Sequence, residues 1–401
     1  MKERPDMLVS GFDLAQLAEN AAQRGRQLLS NLQTYLERDY EQRGLPNFGI
    51  EKAAEIIGCT SQHLRDREGD GMLPQPRTAR VGSLDRRVYN YNEISQIRRL
   101  LKRDSSRQVS CARIIFSNLK GGVGKTSHAL HLSHYAAREG FRVLVVDLDP
   151  QATLTTAFGL VPGLNVGADE DIGPSLTADP KLILRSIQQT RWDDIDLVPA
   201  QLSLQYTDWQ MLQARDSDQQ HLGPLPQRLR QALEQVADRY DLIVMDTPPA
   251  LGMLSLNAIA AADMILMPIT PNFYDIASSV QYFAIVSQLA STYANALRVK
   301  QLSLLMTRTD SAPETRTNMT LLNKAYGEFL LTNRMPQTRE LQRATGDQMS
   351  LYEIEIPRGA RETYLKAIDA MNTVNAEIMQ HVWQVWRATE MDPRTEARHD
   401  K

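Results

Sequence analysis

The densest chemistry in this chain lies in one run, Asn118-Leu119-Lys120-Gly121-Gly122-Val123-Gly124-Lys125-Thr126, followed by Ser127. Three glycines allow backbone N–H groups to turn inward around an anion. Two lysines add positive charge, and Thr126 and Ser127 add hydroxyls. The apolar run Ile114–Phe116 precedes this loop. A helical run with His128, Leu130, Leu132 and Tyr135 follows it, so the positive end of a helix dipole also faces the loop. The pattern suits a nucleotide polyphosphate: Lys125 bridges the β- and γ-phosphates, and the Thr126 hydroxyl meets Mg²⁺. A strict P-loop needs glycine where Leu119 stands, and here the additional lysine Lys120 follows instead.

Two further runs end in carboxylates. In Val145-Val146-Asp147-Leu148-Asp149-Pro150-Gln151, Asp149 is the candidate for orienting an attacking water, and Asp147 for supporting Mg²⁺ or the loop geometry. Carboxylates at the C-terminal end of a strand beside the phosphate-loop strand face the phosphates. In Tyr240-Asp-Leu-Ile-Val-Met-Asp246-Thr247-Pro248-Pro249, Asp246 is the candidate for holding Mg²⁺ through water. The implied reaction is phosphoryl transfer to water, driven by positioning and charge neutralisation, with no covalent nucleophile.

These groups need a scaffold that brings strand ends together. Ile114–Phe116, Val143–Val146, Leu242–Met245, Met264–Met267 and Ser303–Met306 are near-continuous apolar runs, which predict strands buried on both faces. Helical stretches alternate with them. The expected fold is α/β: a mostly parallel P-loop sheet flanked by helices, preceded by an N-terminal helix and a winged helix-turn-helix. A last helix is expected over roughly 361–387, and residues 161–180 read as an exposed loop.

The first hundred residues have a different character. Residues 12–42 read as one long helix, with Leu14, Ala18, Ala21, Gly25, Leu28, Leu32 and Tyr35 at heptad spacing. That seam serves either a dimer contact or packing on the same chain. Ile50 to Ile57, a Gly58-Cys59 turn and a second helix capped by Thr60 give a helix-turn-helix pattern. Its second helix presents Ser61, Gln62, His63, Arg65 and Arg67 as candidate base and phosphate contacts. An arginine-rich hairpin over 77–89, with Arg77, Arg80, Arg86 and Arg87, suits a wing on the phosphate backbone, and Tyr91 to Leu101 forms a further helix. The expected domains are 1–46, a dimerisation helix; 47–103, a DNA-binding unit; 104–110, a linker; and 111–401, the ATPase.

The phosphate loop resembles the deviant Walker A motif, KGGxGKT, of the ParA/MinD/nitrogenase-iron-protein class of P-loop ATPases. Asp147–Gln151 is similar to that class's DxDPQ motif, and the run ending at Asp246 to its Walker B. The resemblance implies an ATP-sandwich dimer with Lys120 acting in trans on the partner's nucleotide and Lys125 in cis. It also implies that Thr307, Arg308 and Pro357 lie near adenine, and that Arg358 and Arg361 touch DNA backbone. The extended N-terminus resembles the large plasmid-type ParA/SopA proteins. That implies DNA segregation with ATP/ADP and Mg²⁺ as cofactors, a ParB-type centromere-binding partner that stimulates hydrolysis, non-specific DNA binding when ATP-bound, and repression of the protein's own operon through the helix-turn-helix. The alternative is a nucleotide-sensing transcriptional regulator.

Composition narrows the remaining classes. The chain has 401 residues, 45 Lys and Arg against 48 Asp and Glu, and two cysteines. Near-neutrality argues against DNA attachment by bulk charge. The total nevertheless hides an asymmetry, because residues 71–103 hold eight basic side chains against two acidic ones, a patch that suits a polyanion. Two cysteines support neither a disulfide framework nor an iron–sulfur reductase, and predict a reducing, cytoplasmic setting, to which the ParA/SopA resemblance adds association with the nucleoid. The polar run Met391–Lys401 lacks apolar anchors, so no membrane partner is expected.

Overall fold

In the computed structural model the described residues are 16, 18–25, 27–28, 30, 44–81, 83–101, 111–167, 169–213, 222–294 and 296–390. The chain divides into two compact units, Met1–Gly44 and Leu45–Lys401. The described residues between 16 and 30 are helical, and among the expected seam positions Ala18, Ala21 and Leu28 are exposed. Leu14, Leu32 and Tyr35 lie outside the described residues, as do the expected linker 104–110 and the polar run 391–401.

The second unit begins with Phe48–Gly49 (β1), Ile50–Ile57 (α1) and Ser61–Gly69 (α2). Ala53, Ala54 and Ile57 put the apolar side of α1 into the core. The Thr60 side chain accepts the His63 N–H at 3.1 Å and caps α2. Arg77–Val81 (β2) and Leu84–Tyr89 (β3) form an antiparallel hairpin, with Arg80 opposite Asp85 and Ala79 opposite Arg86. The strand β1 adds to β3 through Phe48 opposite Tyr89, and Tyr91–Leu101 (α3) follows. The order is thus helix, turn, helix, hairpin, helix.

The larger sheet has seven strands: Ala112–Phe116 (β4), Val143–Asp147 (β5), Gln188–Gln189 (β6), Ile195–Val198 (β7), Leu242–Asp246 (β8), Met264–Ile269 (β9) and Gln301–Met306 (β10). Their spatial order is β10-β9-β4-β8-β5-β7-β6. Every pairing is parallel except β6 with β7. All residues of β4, β5, β8 and β9 are buried, as both faces carry helices. The helices that matter for the site are Lys125–Arg138 (α4), Met253–Ala261 (α5), Phe273–Thr292 (α6) and Arg361–Glu390 (α7). None of the described helices is long and apolar enough to cross a membrane.

One apolar cluster joins the N-terminal elements to the nucleotide-type sheet. Ala53, Leu64 and Ile94 belong to the same core as Ile114, Leu132 and Val382. Polar contacts reinforce that seam: Asn92 donates to the Arg191 carbonyl at 3.1 Å, and Arg98 and Arg99 pair with Glu139 and Asp194. The expected exposed loop over 161–180 is partly a buried element. Ile172, Ser175 and Leu176 are buried, and Asp171 accepts the Gly173 N–H at 2.8 Å and the Ser203 hydroxyl at 2.5 Å. Its Gly, Pro and Asp content suggested a surface turn, and the buried Asp171 is what satisfies those turns internally.

Candidate active site

The topology puts three strand ends side by side. The middle strand β8 lies between β4 and β5, with Asp246 registered against Phe116 on one side and Asp147 on the other. The loop after β4 therefore opens beside both carboxylates, at the switch point of an open parallel sheet. Gly122 (φ 75°) and Gly124 (φ 101°) take the left-handed turns the loop needs. A Cβ added at Gly121 or Gly122 would meet open space, so the concave side of the loop is free. The loop is anchored at both ends: the Asn118 side chain donates to the Pro268 carbonyl and accepts the Lys120 N–H. The Thr307 hydroxyl donates to the Val123 carbonyl at 2.8 Å.

Lys125 opens α4, is 6% exposed, and donates to the Lys120 carbonyl at 3.2 Å. Burial lowers its pKa, while Asp246 and Asp149 oppose that shift. The Thr126 hydroxyl donates to Asp246 Oδ2 at 2.6 Å. The other oxygen of Asp246, Oδ1, is buried without a hydrogen-bond partner among the described residues. Burial, and then the neighbouring Asp147, raise the Asp246 pKa well above the carboxylate range. An orphaned carboxylate oxygen beside a hydroxyl is a donor set that a hard divalent cation fits.

The Asp147 side chain is taken up by the chain that follows β5. Its Oδ1 accepts the Asp149 N–H at 3.1 Å, and its Oδ2 accepts both the N–H and hydroxyl of Thr155, at 2.9 and 2.7 Å. Both oxygens thus hold the chain after β5. Burial still pushes its pKa up to about 6. Asp149 is half-buried, and its Oδ1 accepts the Gln151 N–H at 3.0 Å.

Beside the loop lies a cavity of about 210 Å³ lined by Val123, Gly124, Ser127, His128, Thr307 and Arg308. Arg308 adopts φ 52°, a left-handed turn that takes the chain off the end of β10. The opposite wall, Met335 to Thr338 with Leu341 and Thr345, was not signalled by the sequence. It is brought there by backbone pairing, with Thr309 N–H donating to Met335 O and Gln337 N–H to Thr309 O. No local periodicity encodes that pairing. Burial holds His128 neutral, its pKa down to about 3. Pro357 does not line this cavity. It lies with Ile356, Arg361 and Tyr364 on a second cavity of about 840 Å³, shared with Phe48, Gly49 and Tyr91. The turn before it is tethered elsewhere: Glu353 pairs with Arg191 and accepts the Trp192 indole N–H at 3.2 Å. That tether directs residues 354–361 toward β1 and α7.

The candidate DNA-contacting residues separate into two groups. Arg77 pairs with Glu93 at 2.6 Å, Arg87 with the buried Glu68, and Arg358 with Asp347 at 3.1 Å. Gln62 donates to Asp66 at 2.7 Å. Arg67 has its guanidinium against Met72 Sδ. Arg65, Arg80 and Arg86 are exposed and make no ion pair among the described residues, and Arg361 is also exposed. Ser61 and His63 are half-buried. Half of the basic patch over 71–103 therefore holds the fold, as Arg77, Arg87, Arg98 and Arg99 are all internally paired.

Comparison with known proteins agrees with this geometry. Residues 111–299 match the family described as an AAA domain. The chain is 30% identical over 367 residues to "Putative replication protein A" of Rhizobium rhizogenes, covering 86% of this chain and 89% of that protein. It is 28% identical to the protein SopA of Escherichia coli strain K12, covering 84% and 89%. A solved "Partition Protein" superposes with TM-score 0.62 at 23% identity, over 83% of this chain and 95% of the other. With relatives matched along most of both lengths and a phosphate loop set on the same parallel sheet, the chain belongs to the ParA/SopA-type partition ATPases and hydrolyses ATP.

Proposed function

We propose that this ATPase segregates DNA by switching between nucleotide states. The observation that carries the reading is the Thr126–Asp246 contact beside the open glycine loop. Lys125 lies over the β- and γ-phosphates, and the loop N–H groups and the α4 dipole hold their oxygens. Thr126 and Asp246 would hold Mg²⁺, which would supply neutralisation of developing phosphate charge; Asp147 keeps the loop after β5 in place. Asp149 orients the attacking water in line with the γ-phosphate. Lys120 acts on the nucleotide of a second copy, so hydrolysis requires a homodimer. Ser127, Thr307 and Arg308 receive the nucleoside side of ATP.

The 47–103 unit reads an operator with α2, and Arg65, Arg80 and Arg86 supply phosphate contacts, so it represses its own operon. Arg361 adds non-specific DNA contact in the ATP state. A ParB-type partner bound at the centromere stimulates hydrolysis and releases the protein from the nucleoid. Residues 1–46 add a dimer contact. The shared core between the 47–103 unit and the nucleotide sheet supports coupling of the two activities.

The test measures binding to operator and to random DNA, each with ADP and with a non-hydrolysable ATP analogue, alongside ATPase rates with and without DNA. Nucleotide-dependent exchange between the two DNA classes is expected. Indifference to nucleotide in all four combinations refutes the switch. An operator response without DNA-linked turnover supports the nucleotide-sensing regulator instead.

A further inference from the structure

Three histidines follow the phosphate loop on α4, and they differ in what holds them. His131 and His134 are buried and take partners inside the fold. The Leu351 N–H donates to His131 Nε2 at 3.0 Å, and His134 Nδ1 lies 2.7 Å from the Ser350 hydroxyl. His128 is 2% exposed, and its Nδ1 is buried with no hydrogen-bond partner among the described residues; no hydrogen bond to its Nε2 forms there either. The ring lies along the last glycine of the loop, since a Cβ added at Gly124 would come within 3.3 Å of His128 Cδ2. It also lines the cavity beside the loop. Burial keeps the imidazole neutral, so one nitrogen donates and the other accepts. A buried polar group left unpaired is uncommon in a folded chain and destabilises it unless something else completes the hydrogen bond.

The rest of the wall indicates what completes it. Met335, Pro336 and Leu341 are apolar, Gln337, Thr338 and Gln342 are polar and uncharged, and no carboxylate lines the cavity among the described residues. Apolar sides with a few uncharged hydrogen-bonding groups suit a flat heteroaromatic ring better than a phosphate. We propose that His128 reads the adenine base, exchanging a hydrogen bond with the base edge and adding affinity that the glycine loop alone does not supply. The inference rests on the reading above, that this cavity receives the nucleoside side of ATP. His128 is then a specificity-determining residue: it touches the base and not the transferred phosphate. One neutral hydrogen bond to a group otherwise buried unpaired corresponds to a change of about tenfold in affinity.

The test displaces a labelled ATP analogue from the full chain, with Mg²⁺ present, by three competitors: ADP, 2′,3′-dideoxy-ADP and inorganic pyrophosphate. It compares the wild type with His128→Leu, since leucine is a good helix former and removes both ring nitrogens. The dideoxy competitor keeps the base and lacks both ribose hydroxyls. ADP and dideoxy-ADP are each expected to bind His128→Leu about tenfold more weakly, with pyrophosphate within about twofold of wild type. A merely structural role for the ring would weaken pyrophosphate as much as ADP. The wild-type chain gives a second readout that needs no variant to fold: the His128 imidazole nitrogen resonances should move on adding ADP and stay in place with pyrophosphate. Equal loss for all three competitors, loss confined to ADP, or unchanged affinities overturns the assignment. So do His128 resonances that ADP leaves in place or that pyrophosphate moves equally. A wild type that binds pyrophosphate as tightly as ADP instead removes the nucleoside reading of the cavity beneath it.

Discussion

Replacing Lys125 by alanine tests the site most directly. The lysine is 6% exposed and already directed into the loop, so it loses little side-chain freedom when a nucleotide binds. Two charge-assisted hydrogen bonds to phosphate oxygens at about 1.5–3 kcal/mol each give a loss of about 3–6 kcal/mol. That corresponds to about 10²–10⁴-fold weaker nucleotide binding. Removing the lysine also removes the cation that counteracts the raised pKa of Asp246. A carboxyl whose folded pKa exceeds its unfolded one binds more protons when folded, so stability falls as pH rises toward the folded pKa. Lys125→Ala should therefore lose more stability relative to wild type at pH 8 than at pH 5.5. Fluorescence anisotropy of a labelled ATP analogue with Mg²⁺ measures the first effect, and denaturation midpoints at the two pH values the second. Lys125→Met separates charge from packing and should bind as poorly as the alanine variant. A dissociation constant within threefold of wild type, in a folded variant, would falsify the placement of Lys125 on the phosphates.

Asp149→Ala should bind ATP almost normally and hydrolyse it poorly; unchanged turnover in a steady-state phosphate-release assay removes Asp149 from water positioning. Burial by itself raises the pKa of Glu353, yet the carboxyl is lowered to about 2, because Arg191 pairs with it and the Ser350 N–H donates to it at 2.8 Å; His134, kept neutral at pH 7 by its own burial, adds no charge there. The folded-state pKa of Glu353 is depressed, so its stabilisation is complete above the unfolded value and lost as pH falls toward 2. Glu353→Gln should cost about 3 kcal/mol at pH 7 by denaturant titration, and a loss below about 1 kcal/mol would contradict the buried-pair account. Arg65, Arg80 and Arg86 changed together to alanine should reduce the salt dependence of DNA binding by about three charges without lowering stability. Arg87→Ala should instead destabilise, because it strands the buried Glu68; a thermal melt and a salt titration on each variant distinguish the two behaviours.

Local rules made much of this protein legible. The glycine loop, the Thr60 cap and the apolar runs of β4, β5, β8, β9 and β10 depend on neighbours within a few residues, and each appears where the spacing predicts. Parallel topology follows from strands apolar on both faces, and three strand-end motifs in order imply a phosphate site. Only the tertiary structure decided which charges are available. Arg87 meets Glu68, Arg98 meets Glu139 and Arg99 meets Asp194 across chain separations that no periodic pattern encodes, so arginines that read as DNA contacts hold the fold. The cavity wall at Met335–Thr338 and the position of Pro357 on a different cavity have the same origin. So does the pairing of Lys120 with Asp275. A side chain's chemistry belongs to its residue type, whereas its partner depends on which distant segments the packed sheet brings within hydrogen-bond range.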